Sequence, residues 1–579
     1  MPIGIVLAAI GVILFFRPFA SVDWLVWLIG AGLVLVGALE IAAAVLDRPA
    51  AGLRRAAADR GRWRRMPRWA SALVGATAVV VGLLVFVWPG VTVGMLVVLV
   101  AVLLAVAGVR DLISAFTGSR PQRWASVLFG LAGIIAAITL LAWPDVTVML
   151  IGVLFGVWLV GMGLRVAISA LVTRFRRSVP SSRRAHPVMR GIASVVAFAL
   201  AVGVAFIGIR LSATAIPDAF YTPDGEVPGG PGVLLKSEPF TRSVPEGSLA
   251  WRILYTTTGL GGAPSVASAL VVVPQTPGPH PVIAWTHGTT GVATGCAPSL
   301  LPEPFISGAM PDLNEALGAG WAVVATDYIG LGTATQHEYV VGEPAARAEL
   351  DALRAARQLP DLELADETVV WGHSQGGHAA LWTGGLASTY APELDIRGVV
   401  AMAPAANLPA LLQSFASSSL SLLFGAFVLT GYEAAYPDVK AADYVKPSAR
   451  ITVDEVSRRC LVDPATLVTV AQAGLSGGPV WTRDPSTGAL GERAEENIPL
   501  LPIPVPLLIA QGLADPLIVP SAQQAYVDEL CSRGQALDYR TYPGRDHMGV
   551  VQGDSPLLPQ LMEWTTERFA GASPTPTCE

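Results

Sequence analysis

Seven apolar runs crowd the first 210 residues of this 579-residue chain, at about 2–16, 22–46, 69–88, 91–109, 124–143, 146–172 and 188–210. Most reach the ~20 residues that carry a helix across a bilayer. Any one of them could be a helix buried in a soluble core. Seven in succession could not, because a soluble domain has no room to hide them all. In lipid each backbone N–H and C=O must be satisfied within the segment, so such runs fold as helices. The first run is short and reaches across only by tilting or by snorkelling of its flanks. It has neither a basic start nor an obvious small-residue cleavage site, so it reads as an anchor rather than a removable signal. Composition agrees: 52% of residues are hydrophobic, and mean hydropathy is +0.54.

Charge divides the chain in two. Residues 1–210 hold 20 arginines, no lysine and six acids, a net +14; residues 211–579 hold 18 basic and 38 acidic residues, a net −20. The acidic part lacks the basic footprint that nucleic acid requires. The arginines of the first part fall between apolar runs: eight in 47–68, three in 110–123 and six in 173–190, against Arg17 alone in the remaining turns. Arginine-rich loops stay in the cytoplasm. The N-terminus is then cytoplasmic, the seventh run exits, and everything after about residue 211 lies outside the cell membrane.

An internal repeat runs through the first six segments. "FFRPFASVDWLVWL", "FVWPGVTVGMLVVL" and "LAWPDVTVMLIGVL" align on Pro18, Pro89 and Pro144, and a glycine follows each proline by 19 residues, at Gly37, Gly108 and Gly163. Each repeat reads as a helical hairpin with a proline turn, its glycines allowing close approach of neighbouring helices. Over about residues 1–175 this pattern resembles small bacterial membrane proteins of the HdeD type. Charges within the runs are few. Asp23, Glu40 and Arg165 lie near helix ends, where side chains reach the interface, and no pair suggests a pump or channel.

Residues 211–250 read as a Pro/Gly-rich connector. Strand-like runs follow at 267–274, 281–288, 321–327, 368–374, 397–404, 506–512 and 537–543, several of them continuously apolar, as in strands buried on both faces. Helical stretches separate them, most clearly 343–359, whose apolar and charged faces alternate at helical spacing. The alternation predicts a mostly parallel α/β sheet.

"TVVWGHSQGGHAA" places Gly372-His373-Ser374-Gln375-Gly376 between a strand and a small-residue helix. This G-x-S-x-G pattern allows the sharp turn that lifts a serine hydroxyl above a sheet. A nucleophilic serine needs a base. His547, in "GRDHMG" after the last strand, can take and return a proton near neutral pH. His373 and His378 flank the serine, His280 and His337 lie in loops, His186 falls in a cytoplasmic loop, and His287 reads as loop-shaping. Asp515, just past a strand end, completes the order Ser–Asp–His; Asp546 competes but directly adjoins the histidine. Oxyanion donors are expected from the N–H of Gln375 and of Gly288 or Thr289 in "THGTTG".

These residues resemble the α/β-hydrolase superfamily, and more narrowly the secretory lipase family. The narrower likeness rests on "FYTPDG", "THGTTG", "CAPS", "TDYIGLG", "GHSQGG" and "GLADPLIVP", and covers about residues 215–570. It implies a Ser374–His547–Asp515 triad acting on acylglycerols and other carboxylic esters. The fused membrane region departs from the freely secreted habit of that family. Residues 405–499 leave the sheet pattern and read as an inserted helical cap. Its apolar run 421–431 is either cap core or a lipid-facing lid.

All four cysteines follow residue 295, as suits an oxidising compartment. Sequence alone allows three pairings; the resemblance implies Cys296–Cys460 and Cys531–Cys578. No metal-ligand spacing or phosphate-binding loop appears, so no metal or cofactor is implied, and the sequence names no protein partner.

The expected organisation is thus an all-α transmembrane bundle over 1–175, a loop and seventh helix over 176–212, a linker over 213–250 and an α/β-hydrolase over 251–572. Three functional classes fit. One is a membrane-anchored ester hydrolase of lipid catabolism. The second is an acyltransferase using the same acyl-enzyme. The third is a non-enzymatic membrane stress or assembly protein whose outer domain only binds. Topology is open to direct test: alkaline phosphatase fused after residue 215 should be active, and silent after residue 60 or 118. The reverse pattern inverts the orientation.

Overall fold

The structure is a computed structural model that describes residues 2–45, 68–117, 120–172, 187–211, 214–225, 227, 229–360, 362–415, 422–475, 480–573 and 575–578. Two of the arginine-rich loops, 47–67 and 173–186, fall outside these residues, and His186 with them. The chain divides into two compact units: residues 1–211 with 445–455 and 471–480, and residues 212–444 with 456–470 and 481–579. The expected cap interval is therefore shared between the units.

Among the described residues, the stretch 1–211 of the first unit forms seven helices: α1 (Pro2–Phe15), α2 (Pro18–Val45), α3 (Arg68–Val87), α4 (Pro89–Thr117), α5 (Arg120–Ala142), α6 (Pro144–Val172) and α7 (Pro187–Leu211). Pro18, Pro89 and Pro144 each open a helix. Proline suits that first position because its missing N–H would have no partner there anyway. Among the described residues, five of the helices are long and apolar enough to cross a membrane; α1 and α3 carry shorter apolar stretches, Ile5–Phe15 and Ala72–Val87. At 1.5 Å per residue these span only about 16 and about 24 Å.

The three proline-linked hairpins are present, but the tightest packing falls between them. α2 runs along α3, α4 along α5, and α6 returns to pack on α1. Glycine makes each approach possible. A Cβ on Gly37 would lie 2.5 Å from the Gly75 carbonyl oxygen, one on Gly108 2.7 Å from that of Gly130, and one on Gly11 2.8 Å from that of Gly156. The repeat also sets the core of this unit. Val22, Val93 and Val148 each stand four residues after a repeat proline, and all three are buried in one cluster with Val26, Val85 and Val97.

The second unit is built on a nine-stranded sheet of order β1-β2-β3-β5-β4-β6-β7-β8-β9. Its strands are β1 (Leu234–Phe240), β2 (Ser248–Thr258), β3 (Pro264–Pro274), β4 (His280–Thr286), β5 (Ala322–Thr326), β6 (Leu364–His373), β7 (Asp395–Met402), β8 (Leu507–Gly512) and β9 (Asp538–Tyr542). The first three strands and β5 pair antiparallel; β5, β4, β6, β7, β8 and β9 pair parallel. Every residue of β5 and β8 is buried, which explains their unbroken apolar sequences.

All seven expected strands are present. β1 and β2 were not foreseen. β1, LLKSEPF, is an edge strand with one buried residue. Its polar residues and proline read as connector because an edge strand needs neither an apolar face nor every N–H. The helix expected at 343–359 is α8 (Gly342–Ala356), and α9 (Gln375–Tyr390) follows the candidate serine.

Gly108→Val should lower the thermal midpoint of the detergent-solubilised protein, because the side chain must push α4 off the α5 backbone. Gly94→Val, whose Cβ position meets nothing within 4 Å, should cost far less. Equal effects would show that the α4–α5 approach is not needed.

Candidate active site

Ser374 stands between the end of β6 and the start of α9 at φ 58° and ψ −118°. A residue with a side chain is strained there by ~1–3 kcal/mol, so the surroundings must hold it. The Ser374 N–H donates to Met402 O at 2.9 Å, and the Ala405 N–H donates to Ser374 O at 3.1 Å, tying the turn to the end of β7. The flanking glycines are required by contact. A Cβ on Gly372 would sit 2.1 Å from Gly376 O, and one on Gly376 1.9 Å from Thr286 O. Thr286 Oγ1 lies 2.7 Å from Gly376 O and 3.0 Å from Trp371 O, within hydrogen-bonding distance of both. The elbow and the end of β4 are thus one packed unit.

His547, in the turn after β9, places Nε2 2.9 Å from Ser374 Oγ and Nδ1 2.8 Å from Asp515 Oδ2. Asp515 follows β8 and is 4% exposed. Its other oxygen, Oδ1, accepts the N–H groups of Leu517 at 2.8 Å and Ile518 at 2.9 Å, and Gln511 Nε2 donates to Oδ2 at 3.3 Å. Asp546 is placed otherwise: its Oδ1 accepts the Gly549 N–H at 2.7 Å and closes an exposed turn.

The loop after β4 runs against the elbow. The Gly288 N–H is already used, donating to Gly308 O at 3.0 Å. Neither the Thr289 nor the Gln375 N–H has a hydrogen-bond partner among the described residues, so these two are free to meet an oxyanion. Thr289 Oγ1 lies 2.7 Å from the Tyr339 hydroxyl. Gln375 Nε2 lies 3.0 Å from His337 Nε2, whose ring places Nδ1 2.9 Å from Ile329 O. A carbonyl only accepts, so Nδ1 carries the His337 proton and Nε2 accepts from Gln375. Burial pushes His337 down to about 4, which keeps that ring neutral.

The remaining histidines are brought elsewhere. His280 Nδ1 meets Gly320 O, His378 Nε2 meets Asn497 O, and His287 Nδ1 meets Gly288 O. His373, in sequence a flank of the nucleophile, makes a contact of its own. Its Nε2 lies 2.9 Å from the His547 main-chain oxygen. No sequence signal marks this, since the contact joins segments 174 residues apart.

The expected cap run 421–431 supplies the start of a helix, α10 (Phe424–Ala435), whose Ala426, Phe427, Val428, Leu429 and Tyr432 are buried. Tyr339 packs edge-on against Phe427 at 6.0 Å, linking the cap to Thr289. Disulfides join Cys296 to Cys460 and Cys531 to Cys578. Among the described residues no three His, Cys, Asp or Glu side chains gather as a metal site.

A mostly parallel sheet carrying a strained serine turn, with an aspartate after β8 and a histidine after β9, makes this unit an α/β-hydrolase. Comparison with known proteins narrows the class. Residues 309–577 match the secretory lipase family, and the C-terminal part of the chain belongs to it. Residues 3–57, 73–142 and 128–202 match a short repeat of unknown function.

Among curated proteins, a probable inactive lipase of Mycobacterium tuberculosis is 27% identical over 382 residues, 61% of this chain and 82% of the relative. A secreted triacylglycerol lipase of Malassezia globosa is 31% identical over 236 residues, 38% of this chain and 50% of that lipase. Lipase A of Candida antarctica in its closed state shares the fold, with a TM-score of 0.52 at 20% identity, covering 63% of this chain and 89% of that one.

Gly376→Ala should cost more than the ~1–3 kcal/mol of an ordinary overpacked side chain, because backbone atoms of the β4 end must move. A lowered thermal midpoint checks it, with Gly318→Ala, which meets nothing within 4 Å, as the neutral control.

Proposed function

We propose that this chain is a membrane-anchored serine hydrolase that cleaves carboxylic esters of acyl lipids. The observation that carries the reading is the continuous line from Asp515 through His547 to Ser374, at 2.8 and 2.9 Å. Ser374 Oγ attacks the ester carbonyl carbon as His547 Nε2 takes its proton. Asp515 holds the opposite nitrogen as N–H and stabilises the imidazolium that forms. The N–H groups of Gln375 and Thr289 receive the oxyanion; removal of one such donor costs ~3 kcal/mol. Collapse returns the His547 proton to the leaving alcohol and leaves an acyl-enzyme. Water, activated by the same histidine, then releases the acid and restores Ser374.

The family of the C-terminal part and the apolar helices of the N-terminal part support an acyl-lipid substrate. The arginine distribution supports an extracytoplasmic Ser374, and four cysteines joined in two disulfides suit that side of the membrane. A name that marks one relative as inactive makes a direct assay decisive for this chain. Ser374→Ala should abolish both fluorophosphonate labelling and hydrolysis of p-nitrophenyl esters. Asp515→Asn should lower turnover by ~10⁴ by losing the correct histidine tautomer, whereas Asp546→Asn should leave it within a few-fold. Equal labelling of wild type and Ser374→Ala would overturn the assignment.

A further inference from the structure

We propose that His373 is a positioning residue for this reaction: its side-chain N–H holds the main chain of His547, so that two adjacent residues grip both ends of the base. The inference rests on the hydrolase reading above. Ser374 Oγ lies 2.9 Å from the imidazole of His547, and His373 Nε2 lies 2.9 Å from its carbonyl oxygen. The two rings are also in contact, with centroids 4.7 Å apart and planes tilted at 41°.

The direction of the bond follows from its partner. A carbonyl oxygen only accepts, so His373 must carry its proton on Nε2. Its Nδ1 is buried and has no hydrogen-bond partner among the described residues. The ring is 1% exposed, and burial pushes it down to about 3. It therefore stays neutral beside His547 and adds no charge to oppose the imidazolium formed during catalysis.

His547 needs such a hold. It sits in a turn whose neighbours Asp546 and Met548 are exposed. The nearby main-chain bonds, Ala514 N–H to Arg545 O and Val550 N–H to Asp546 O, fix the ends of the turn but not residue 547 itself. A bond to the side chain alone leaves the residue free to pivot about Asp515. A second bond to its carbonyl removes that freedom. The holder is the residue before the nucleophile, on the same strand end, so any shift of the elbow carries base and serine together.

The test uses the full-length chain in detergent, with p-nitrophenyl ester hydrolysis and the rate of fluorophosphonate labelling. His373→Phe keeps an aromatic ring and loses the N–H. It should lower kcat by about 10–100-fold, the scale of a misplaced catalytic group, with KM within about two-fold, and slow labelling by the same factor. His373→Gln, whose amide can donate to the same carbonyl, should recover to within about five-fold of wild type on both readouts. Should His373→Phe fail to accumulate, His373→Leu carries the same expectations. Wild-type rates in His373→Phe would overturn the proposal, as would equal losses in Phe and Gln variants with a common drop in thermal midpoint. Absence of labelling in wild type would instead overturn the hydrolase reading itself.

Discussion

The contact of Gly376 with the carbonyl of Thr286 is the constraint on which the hydrolase unit turns. A Cβ there would lie 1.9 Å from that oxygen, so the start of α9 and the end of β4 touch backbone to backbone. That closeness holds Ser374 in its left-handed conformation. It also brings the loop after β4, with its free Thr289 N–H, alongside the free N–H of Gln375. Strain at a functional residue persists only where the surroundings over-determine it. Here β4, β6 and β7 each supply part of the hold.

Features governed by local chemistry were legible in the sequence. Ser374 and Asp515 each follow a strand with a plain apolar run, β6 and β8, His547 follows the shorter, more polar β9, and the glycines beside Ser374 mark the turn directly. Strands β3 to β9 and α8 are legible as runs and periodicity in the sequence. Features governed by long-range packing were not. β1 hid in a polar, proline-bearing connector because an edge strand buries little. Gly288 and Thr289 could not be told apart as donors, since only the fold reveals that Gly308 takes the N–H of Gly288. His373 looked idle because its partner lies 174 residues away.

The helical unit shows the same division. Proline spacing displayed the repeat and its valines, but not which helices lie side by side. Helix pairing in lipid depends on shape, since water no longer drives burial between apolar faces. The decisive glycines, Gly11, Gly75, Gly130 and Gly156, therefore stand out only once their opposite numbers are known. The Cys296–Cys460 bond adds a constraint of another kind. It closes a chain separation of 164 residues and ties the segment beyond the loop after β4 to the helical region between β7 and β8, a type of link that stabilises by about 2–4 kcal/mol.

The return of α6 onto α1 bears on how the chain is made. Helices enter the membrane in order of synthesis. α2 can meet α3, and α4 can meet α5, as soon as each pair has emerged. α1 has no such early partner. Its small-residue face around Gly11 stays open to lipid until the sixth helix arrives, so the ring of pairs is completed last at the point where it began. A ribosome stalled before α6 leaves that seam unsealed, and quality-control proteases that recognise unpaired membrane helices would find their substrate there. Closure of the α1–α6 seam thus comes just before α7, which packs on α5, is synthesised.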